Sequence, residues 1–173
     1  MICRRYALMV PFALAMAPAR AATPAFSFPS IDGGDIALAA HRGKPVLVVN
    51  TASQCAFTPQ YEALQQLHED YGDRILVLGV PSNDFGGQEY GTEAEVKEFC
   101  EVNFNLTLPL TEITKVKGRD PHPFYAWAAK NGVRPSWNFH KILLDGEGRI
   151  VRDFPSAIGP ESPRLRRAID ALL

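Results

Sequence analysis

The sequence predicts a single α/β domain: a central mixed β-sheet with helices on both faces and an N-terminal β-hairpin. Three observations carry that prediction. Val46–Thr51 and residues 75–80 are two short runs, almost wholly apolar and rich in β-branched residues, without the polar alternation of a half-exposed strand. Between them, residues 59–71 repeat apolar positions at helical spacing, so strand, helix and strand form a βαβ unit, whose strands pair in parallel. Further along, Asp145-Gly146-Glu147-Gly148 separates residues 139–144 from 149–154, the signature of an antiparallel hairpin.

In chain order, Phe26-Ser27-Phe28, Gly33-Gly34 and Ile36-Ala37-Leu38 predict the small leading hairpin. The first helix, at 59–71, places Tyr61, Leu64, Leu67, His68 and Tyr71 near one face. Thr92 followed by Glu95 is a capping box that opens a second helix reaching about Phe104. A third helix spans 123–131 and stops at Gly132; Ser162-Pro163 opens the last, which runs to the end of the chain. A βαβ unit followed by ββα around one mixed sheet is the thioredoxin-like arrangement.

The first 22 residues read differently. Arg4 and Arg5 precede an apolar stretch at 6–16 that is too short for a bilayer, which needs about 20 residues, and small residues follow at Ala19, Ala21 and Ala22. A secretory signal peptide is expected at 1–22, the domain at 23–173, and the protein in a secreted or periplasmic compartment with no stable membrane anchor. With 18 Lys and Arg against 19 Asp and Glu, the net charge of −1 gives no basic footprint for nucleic acid. Of three Cys, Cys3 leaves with the signal peptide, so Cys55 and Cys100 are the thiols of the mature chain. In an oxidising compartment such a pair also fits a plain structural disulfide.

Cys55 lies where the first buried strand gives way to the first helix. A thiol at that junction meets the unpaired N–H groups and positive dipole end of a helix, which favour the nucleophilic thiolate. The second Cys of a disulfide reductase, expected three residues on, is replaced by Thr58. His41, His68 and His122 show no metal-ligand spacing, so no metal and no cofactor are expected.

The segment Asn50-Thr51-Ala52-Ser53-Gln54-Cys55-Ala56-Phe57-Thr58-Pro59-Gln60-Tyr61 resembles the nucleophile segment of the glutathione peroxidase family. Asn83-Asp84-Phe85-Gly86-Gly87-Gln88-Glu89 resembles its second motif and Trp137-Asn138-Phe139-His140-Lys141 its third. Glu98-Phe99-Cys100, with Asn103-Phe104 and Leu108-Pro109, is similar to the segment carrying the second cysteine of two-cysteine members. Four motifs stand in family order from about Phe26 onward. The resemblance implies a hydroperoxide-reducing enzyme in which Cys55, Gln88, Trp137 and Asn138 form the catalytic constellation. Cys55 attacks the O–O bond and becomes a sulfenic acid, while the amide and indole donors stabilise the thiolate and the leaving oxygen. Cys100 is implied as the resolving cysteine that closes an intramolecular disulfide, reopened by a thioredoxin-like protein; glutathione is the alternative reductant.

Taken singly, Trp137, Asn138 and Gln88 would be a packing aromatic, a turn residue and a solvated loop residue; their co-occurrence with Cys55 raises them. Cys100 shares a helix face with Val96 and Phe99, so a buried small hydrophobe is its plainer reading. His140 and Lys141 are expected to be structural. Ala56 stands where the family commonly has Gly, and Ser82 and Asp84 replace a Cys and a Gln of Pro-Cys-Asn-Gln. If Asp84 faces inwards, its carboxylate opposes ionisation of the Cys55 thiol. A disulfide-exchange protein and a non-enzymatic domain with a Cys55–Cys100 bridge are the competing classes. The short link at 132–136 lacks the longer insertion of the family's tetrameric branch, so a monomer or weak dimer is expected.

Overall fold

A computed structural model describes residues 25–173; the expected signal peptide lies outside the described residues. Six strands and four helices follow in the order β1 (Ser27–Pro29), β2 (Asp35–Ala37), β3 (Val46–Thr51), α1 (Gln60–Tyr71), β4 (Leu76–Pro81), α2 (Glu93–Phe104), α3 (Pro123–Lys130), β5 (Lys141–Leu144), β6 (Ile150–Phe154) and α4 (Pro163–Asp170). β1 and β2 form the predicted antiparallel hairpin. The main sheet has the order β4-β3-β5-β6, with β3 parallel to β4 and the other pairs antiparallel. The sheet is mixed, as the pattern of runs and turns requires.

Alternation along the buried strands divides the core in two. Leu47, Val49, Val77 and Leu143 face α1, α2 and α4, where Leu64, Leu67, Val96, Leu165 and Ile169 cover them. Val46, Val48, Leu76, Leu78, Ile142 and Leu144 face the other way, against Phe26, Phe28, Phe124, Tyr125 and Ala128 of the hairpin and α3. Continuous apolar strands are therefore the consequence of a sheet buried on both sides. Among the described residues, no helix is long and apolar enough to cross a membrane.

Helix boundaries follow their caps. Thr92 Oγ1 accepts from Glu95 N–H at 3.3 Å, and the Thr92 hydroxyl donates to Glu95 Oε2 at 2.7 Å, so the capping box closes through the side chains. Ser162 Oγ accepts from Leu165 N–H at the start of α4, and His122 Nδ1 does the same for Phe124 N–H at α3. On α1 the buried set differs from the expected one by a single residue: Gln65 is buried in place of His68. Its amide explains why. Gln65 Oε1 accepts from Thr107 N–H and Leu108 N–H while its Nε2 donates to Thr107 Oγ1, binding α1 to the segment after α2. Strand β5 starts at Lys141 rather than at 139, because Phe139 has φ of +59° and cannot continue a strand.

Candidate active site

β3 delivers its last residues into a tight turn that carries Cys55, and α1 begins at Gln60. Thr58 builds that turn. Its hydroxyl accepts from Cys55 N–H at 3.0 Å and donates to the Ala52 carbonyl at 2.9 Å, while Thr58 N–H donates to the Cys55 carbonyl. The residue that replaces the second Cys of a reductase thus fixes the backbone around the first. Cys55 is a free thiol, 7% exposed, whose Sγ accepts from Phe57 N–H at 3.4 Å. The one backbone donor at the sulfur, Phe57 N–H, belongs to the turn that leads into α1.

The loop after β4 brings the second motif to this turn. Gln54 N–H donates to the Gln88 carbonyl at 2.9 Å, and Ser53 N–H donates to Glu89 Oε1 at 3.1 Å. Asn138, wholly buried, donates from Nδ2 to Gln88 Oε1 at 3.0 Å and to the Phe85 carbonyl at 3.4 Å. Its own carbonyl accepts from Ser156 Oγ at 2.6 Å. The left-handed Phe139 ends the approach to β5 and, by donating its N–H to the Asn50 carbonyl, sets Asn138 at the end of β3. A bulky residue held in this region signals strain kept by its surroundings, a feature that concentrates at functional sites.

Trp137 is 39% exposed and its carbonyl accepts from Asn50 Nδ2 at 3.0 Å. The indole meets Phe85 edge-on, with ring centroids 6.2 Å apart. Gly86 has φ of +79°, a conformation that asks for glycine, and a Cβ there would stand in ordinary contact with the indole at 3.4 Å. Gln88 and Asn138 are therefore joined directly, while Gln88 reaches the Cys55 turn through its backbone. With Gln88 Oε1 engaged, its Nε2 and the Trp137 indole N–H have no partner among the described residues and remain available as donors.

Asp84 does not act as an inward-facing charge: its Oδ2 accepts from Val116 N–H at 2.6 Å and Lys117 N–H at 3.0 Å. The carboxylate pins the loop before α3. His140 pairs with Asp153 at 2.9 Å, and burial holds the imidazole below its usual range. Lys141, fully buried, donates to the Gln60 side chain and to the Ile158 carbonyl at 2.7 Å, in keeping with a structural role.

Cys100 lies in the last turns of α2, free and 1% exposed, in the same apolar cluster as Cys55. Burial pushes its thiol up to about 12. Sequence reasoning missed two groups beside it. Glu89 is buried with one oxygen accepting from Ser53 and Tyr90 N–H and the other unpaired; burial raises its carboxyl above the usual range. The Tyr61 hydroxyl, wholly buried, stands against Thr51 and the Cys100 thiol, though none of these contacts is a well-formed hydrogen bond. A tyrosine at a core position of α1 was the available signal, since a buried phenol needs a polar partner.

A family model described as glutathione peroxidase matches residues 24–129. The chain is 43% identical over 148 residues to a protein named hydroperoxy fatty acid reductase from Synechocystis sp., covering 79% of this chain and 88% of that protein. It is 40% identical over 137 residues to a glutathione peroxidase-like peroxiredoxin of Chlamydomonas reinhardtii, covering 75% and 85%. Among solved structures, T. cruzi GPX1 superposes with a TM-score of 0.66 at 27% identity, over 85% of this chain and 93% of that one. An exposed lipoprotein thioredoxin of Streptococcus pneumoniae, 21% identical, gives a TM-score of 0.63 over 86% of this chain and all of that one, which speaks for the fold alone. The sheet order, the Cys55 turn and the matched motifs agree with these likenesses, and the chain belongs to the glutathione peroxidase family.

Proposed function

We propose that the protein is a thiol peroxidase that reduces hydrogen peroxide and organic hydroperoxides at Cys55. The observation that carries this reading is the junction of the Cys55 turn with the Gln88–Asn138 amide pair, beside the unengaged donors of Gln88 and Trp137. The Cys55 thiolate attacks one peroxide oxygen, the O–O bond breaks, and the second oxygen leaves as water or alcohol once protonated. Gln88 and Trp137 donate to the sulfur and to the leaving oxygen; Asn138 orients Gln88. The name of the Synechocystis relative favours fatty-acid hydroperoxides among the organic substrates.

Cys100 is the resolving cysteine of this reading. Its place within α2 is one turn from the helix end, where Leu106 N–H closes on the Cys100 carbonyl and Asn105 N–H on that of Glu101. Loosening that terminus frees the thiol to approach Cys55, so turnover is coupled to local opening of α2. The resulting disulfide suits a dithiol protein as reductant, because a second thiol of that protein resolves the mixed disulfide. Treating the reduced protein with one equivalent of peroxide should give a Cys55–Cys100 disulfide by mass spectrometric mapping, and thioredoxin should sustain faster peroxide consumption than glutathione. Stable Cys55 sulfenic acid with Cys100 still free, or faster turnover with glutathione, contradicts the two-cysteine route.

The protein acts outside the cytoplasm in this reading, because residues 1–22 carry the pattern of a secretory signal. A monomer is the proposed state, since only residues 131–136 link α3 to Trp137. Light scattering should give the mass of one chain, and a stable tetramer would contradict it.

A further inference from the structure

Two adjacent residues of the loop after β4 are bonded to two adjacent residues of the Cys55 turn. Gln54 N–H donates to the Gln88 carbonyl at 2.9 Å, and Ser53 N–H donates to Glu89 Oε1 at 3.1 Å. The first tie joins backbone to backbone, so any residue at 88 supplies its acceptor. The second needs an acceptor at the end of a side chain of the right length, and here Glu89 supplies it. The same oxygen accepts from Tyr90 N–H at 2.9 Å, while Glu89 N–H donates to Asn83 Oδ1 at 3.1 Å. Glu89 therefore closes the loop on itself and fastens it to the turn, with 5% of its surface exposed. Its other oxygen, Oε2, is buried and takes no hydrogen bond among the described residues. Upstream of Gln88, Gly86 and Gly87 have φ of +79° and +65°, a stretch with little stiffness of its own. The place of Gln88 is accordingly set by the ties at 88 and 89.

We infer that Glu89 is a positioning residue for peroxide reduction: by accepting from Ser53 N–H it holds the Cys55 turn and the Gln88 amide in register. The inference rests on the reading of Cys55 as the nucleophile and Gln88 as a donor, and no part of it depends on Cys100. Ser53 stands two residues before the sulfur, and Glu89 directly follows Gln88. Asn138 Nδ2 holds Gln88 Oε1 at 3.0 Å, which orients the amide about its own axis. The clasp through Glu89 fixes where that amide stands relative to the turn. Without it, the loop pivots about the single 54–88 tie. Stabilising the charge that develops on a leaving oxygen requires a donor already in place, and a misplacement of about 1 Å costs up to ~10²-fold in rate. Attack by the same sulfur on an alkyl iodide expels iodide, which leaves without a hydrogen-bond donor. The two reactions share the thiolate and its access, so their ratio isolates the placement of the donor. The contacts also say what a substitute must keep. Glutamine retains an oxygen at the reach of Ser53 and Tyr90 N–H and drops the charge. Aspartate retains the charge and is one methylene too short for Ser53. Because Oε2 has no partner, reach rather than charge is the feature Glu89 contributes.

The test compares reduced wild type, Glu89→Gln, Glu89→Asp and Glu89→Ala, each treated with hydrogen peroxide and, separately, with iodoacetamide. Mass spectrometry of quenched samples reads the rate at which Cys55 is modified. The ratio of the peroxide rate to the alkylation rate is expected to fall on the order of 10-fold or more in Glu89→Ala and Glu89→Asp, and to stay close to wild type in Glu89→Gln. A role in stability alone moves the unfolding midpoint of these variants and leaves the ratio of the folded proteins where it was. An unchanged ratio in Glu89→Ala, or rates that fall equally with both reagents, overturns the positioning role. A ratio as low in Glu89→Gln as in Glu89→Ala, or a wild-type ratio in Glu89→Asp, overturns the assignment of reach over charge. Should Glu89→Ala or Glu89→Asp fail to fold, Asn83→Ala decides, since it removes the acceptor of Glu89 N–H and leaves the carboxyl intact. Its ratio is expected to fall in the same direction, and a wild-type ratio there overturns the proposal. A wild type in which peroxide leaves Cys55 unmodified overturns the peroxidase reading itself, whereas normal oxidation with an unchanged ratio in the variants removes the role of Glu89 alone.

Discussion

Cys55→Ser is expected to lower peroxide reduction on the order of 10³-fold or more while leaving the far-UV circular dichroism spectrum unchanged. The chemistry requires an atom that gives up an electron pair to a peroxide oxygen and survives as a sulfenic acid, and a serine hydroxyl does neither. Structurally, the exchange is small. Cys55 Sγ makes one weak contact, with Phe57 N–H at 3.4 Å, and a hydroxyl accepts from the same group. The turn is held by Thr58, whose three hydrogen bonds to Ala52 and the Cys55 backbone do not involve the thiol. Activity and fold therefore separate cleanly in this variant. Cys100→Ser supplies the contrast: it leaves the first turnover of peroxide intact and removes thioredoxin-dependent recycling. Substantial turnover in Cys55→Ser would move the nucleophile elsewhere.

Much of this arrangement was legible because it rests on local rules. Continuous apolar runs gave β3 and β4, a Thr-x-x-Glu box gave the start of α2, and Asp145-Gly146-Glu147-Gly148 gave the β5–β6 turn, each within a residue or two of the observed bounds. The place of Cys55 between a strand and a helix was readable from the change of pattern alone. What escaped depended on contacts between distant segments. The direction of Asp84 is set by Val116 and Lys117, more than thirty residues away, and no local pattern reports it. The start of β5 was missed because the left-handed turn at Phe139 is imposed by its ties to Asn50, not by any preference of phenylalanine. Glu89 went unremarked beside Gln88 because a carboxylate after a Gly-Gly pair reads as solvated, whereas the fold buries it against Ser53. The four motif residues were found together through family resemblance; the geometry adds that Asn138 grips Gln88 rather than the sulfur.

The pH dependence of stability should change when Lys141 is replaced by Met. Lys141 stands at the start of β5 with no exposed surface, its ammonium donating to Gln60 Oε1, Ser156 O and Ile158 O. Burial lowers its ordinary value of 10.5 to about 8, with Glu161 opposing the shift. Between those two values the unfolded chain holds this proton and the folded chain has released it, so the unfolded state binds more protons and stability rises with pH through the window. Below pH 8 the charged amine opposes folding by about 3 kcal/mol relative to its neutral form, and above 10.5 that opposition is gone. Lys141→Met removes the titration but leaves Ile158 O and Gln60 Oε1 without a donor; Ser156 O keeps Gln60 Nε2 at 2.7 Å. Near pH 7 the relief of burying no charge offsets part of that loss, and the variant should fall below wild type by about 1–3 kcal/mol. Towards pH 10.5 the gap should widen by about 3 kcal/mol, because wild type alone gains. Urea unfolding of both proteins across this range, with thiols kept reduced, measures the difference directly. Tyrosines and Cys100 titrate in both proteins and cancel from the comparison. Parallel stability curves would show that Lys141 keeps its proton in the folded state and that its three acceptors fully replace water.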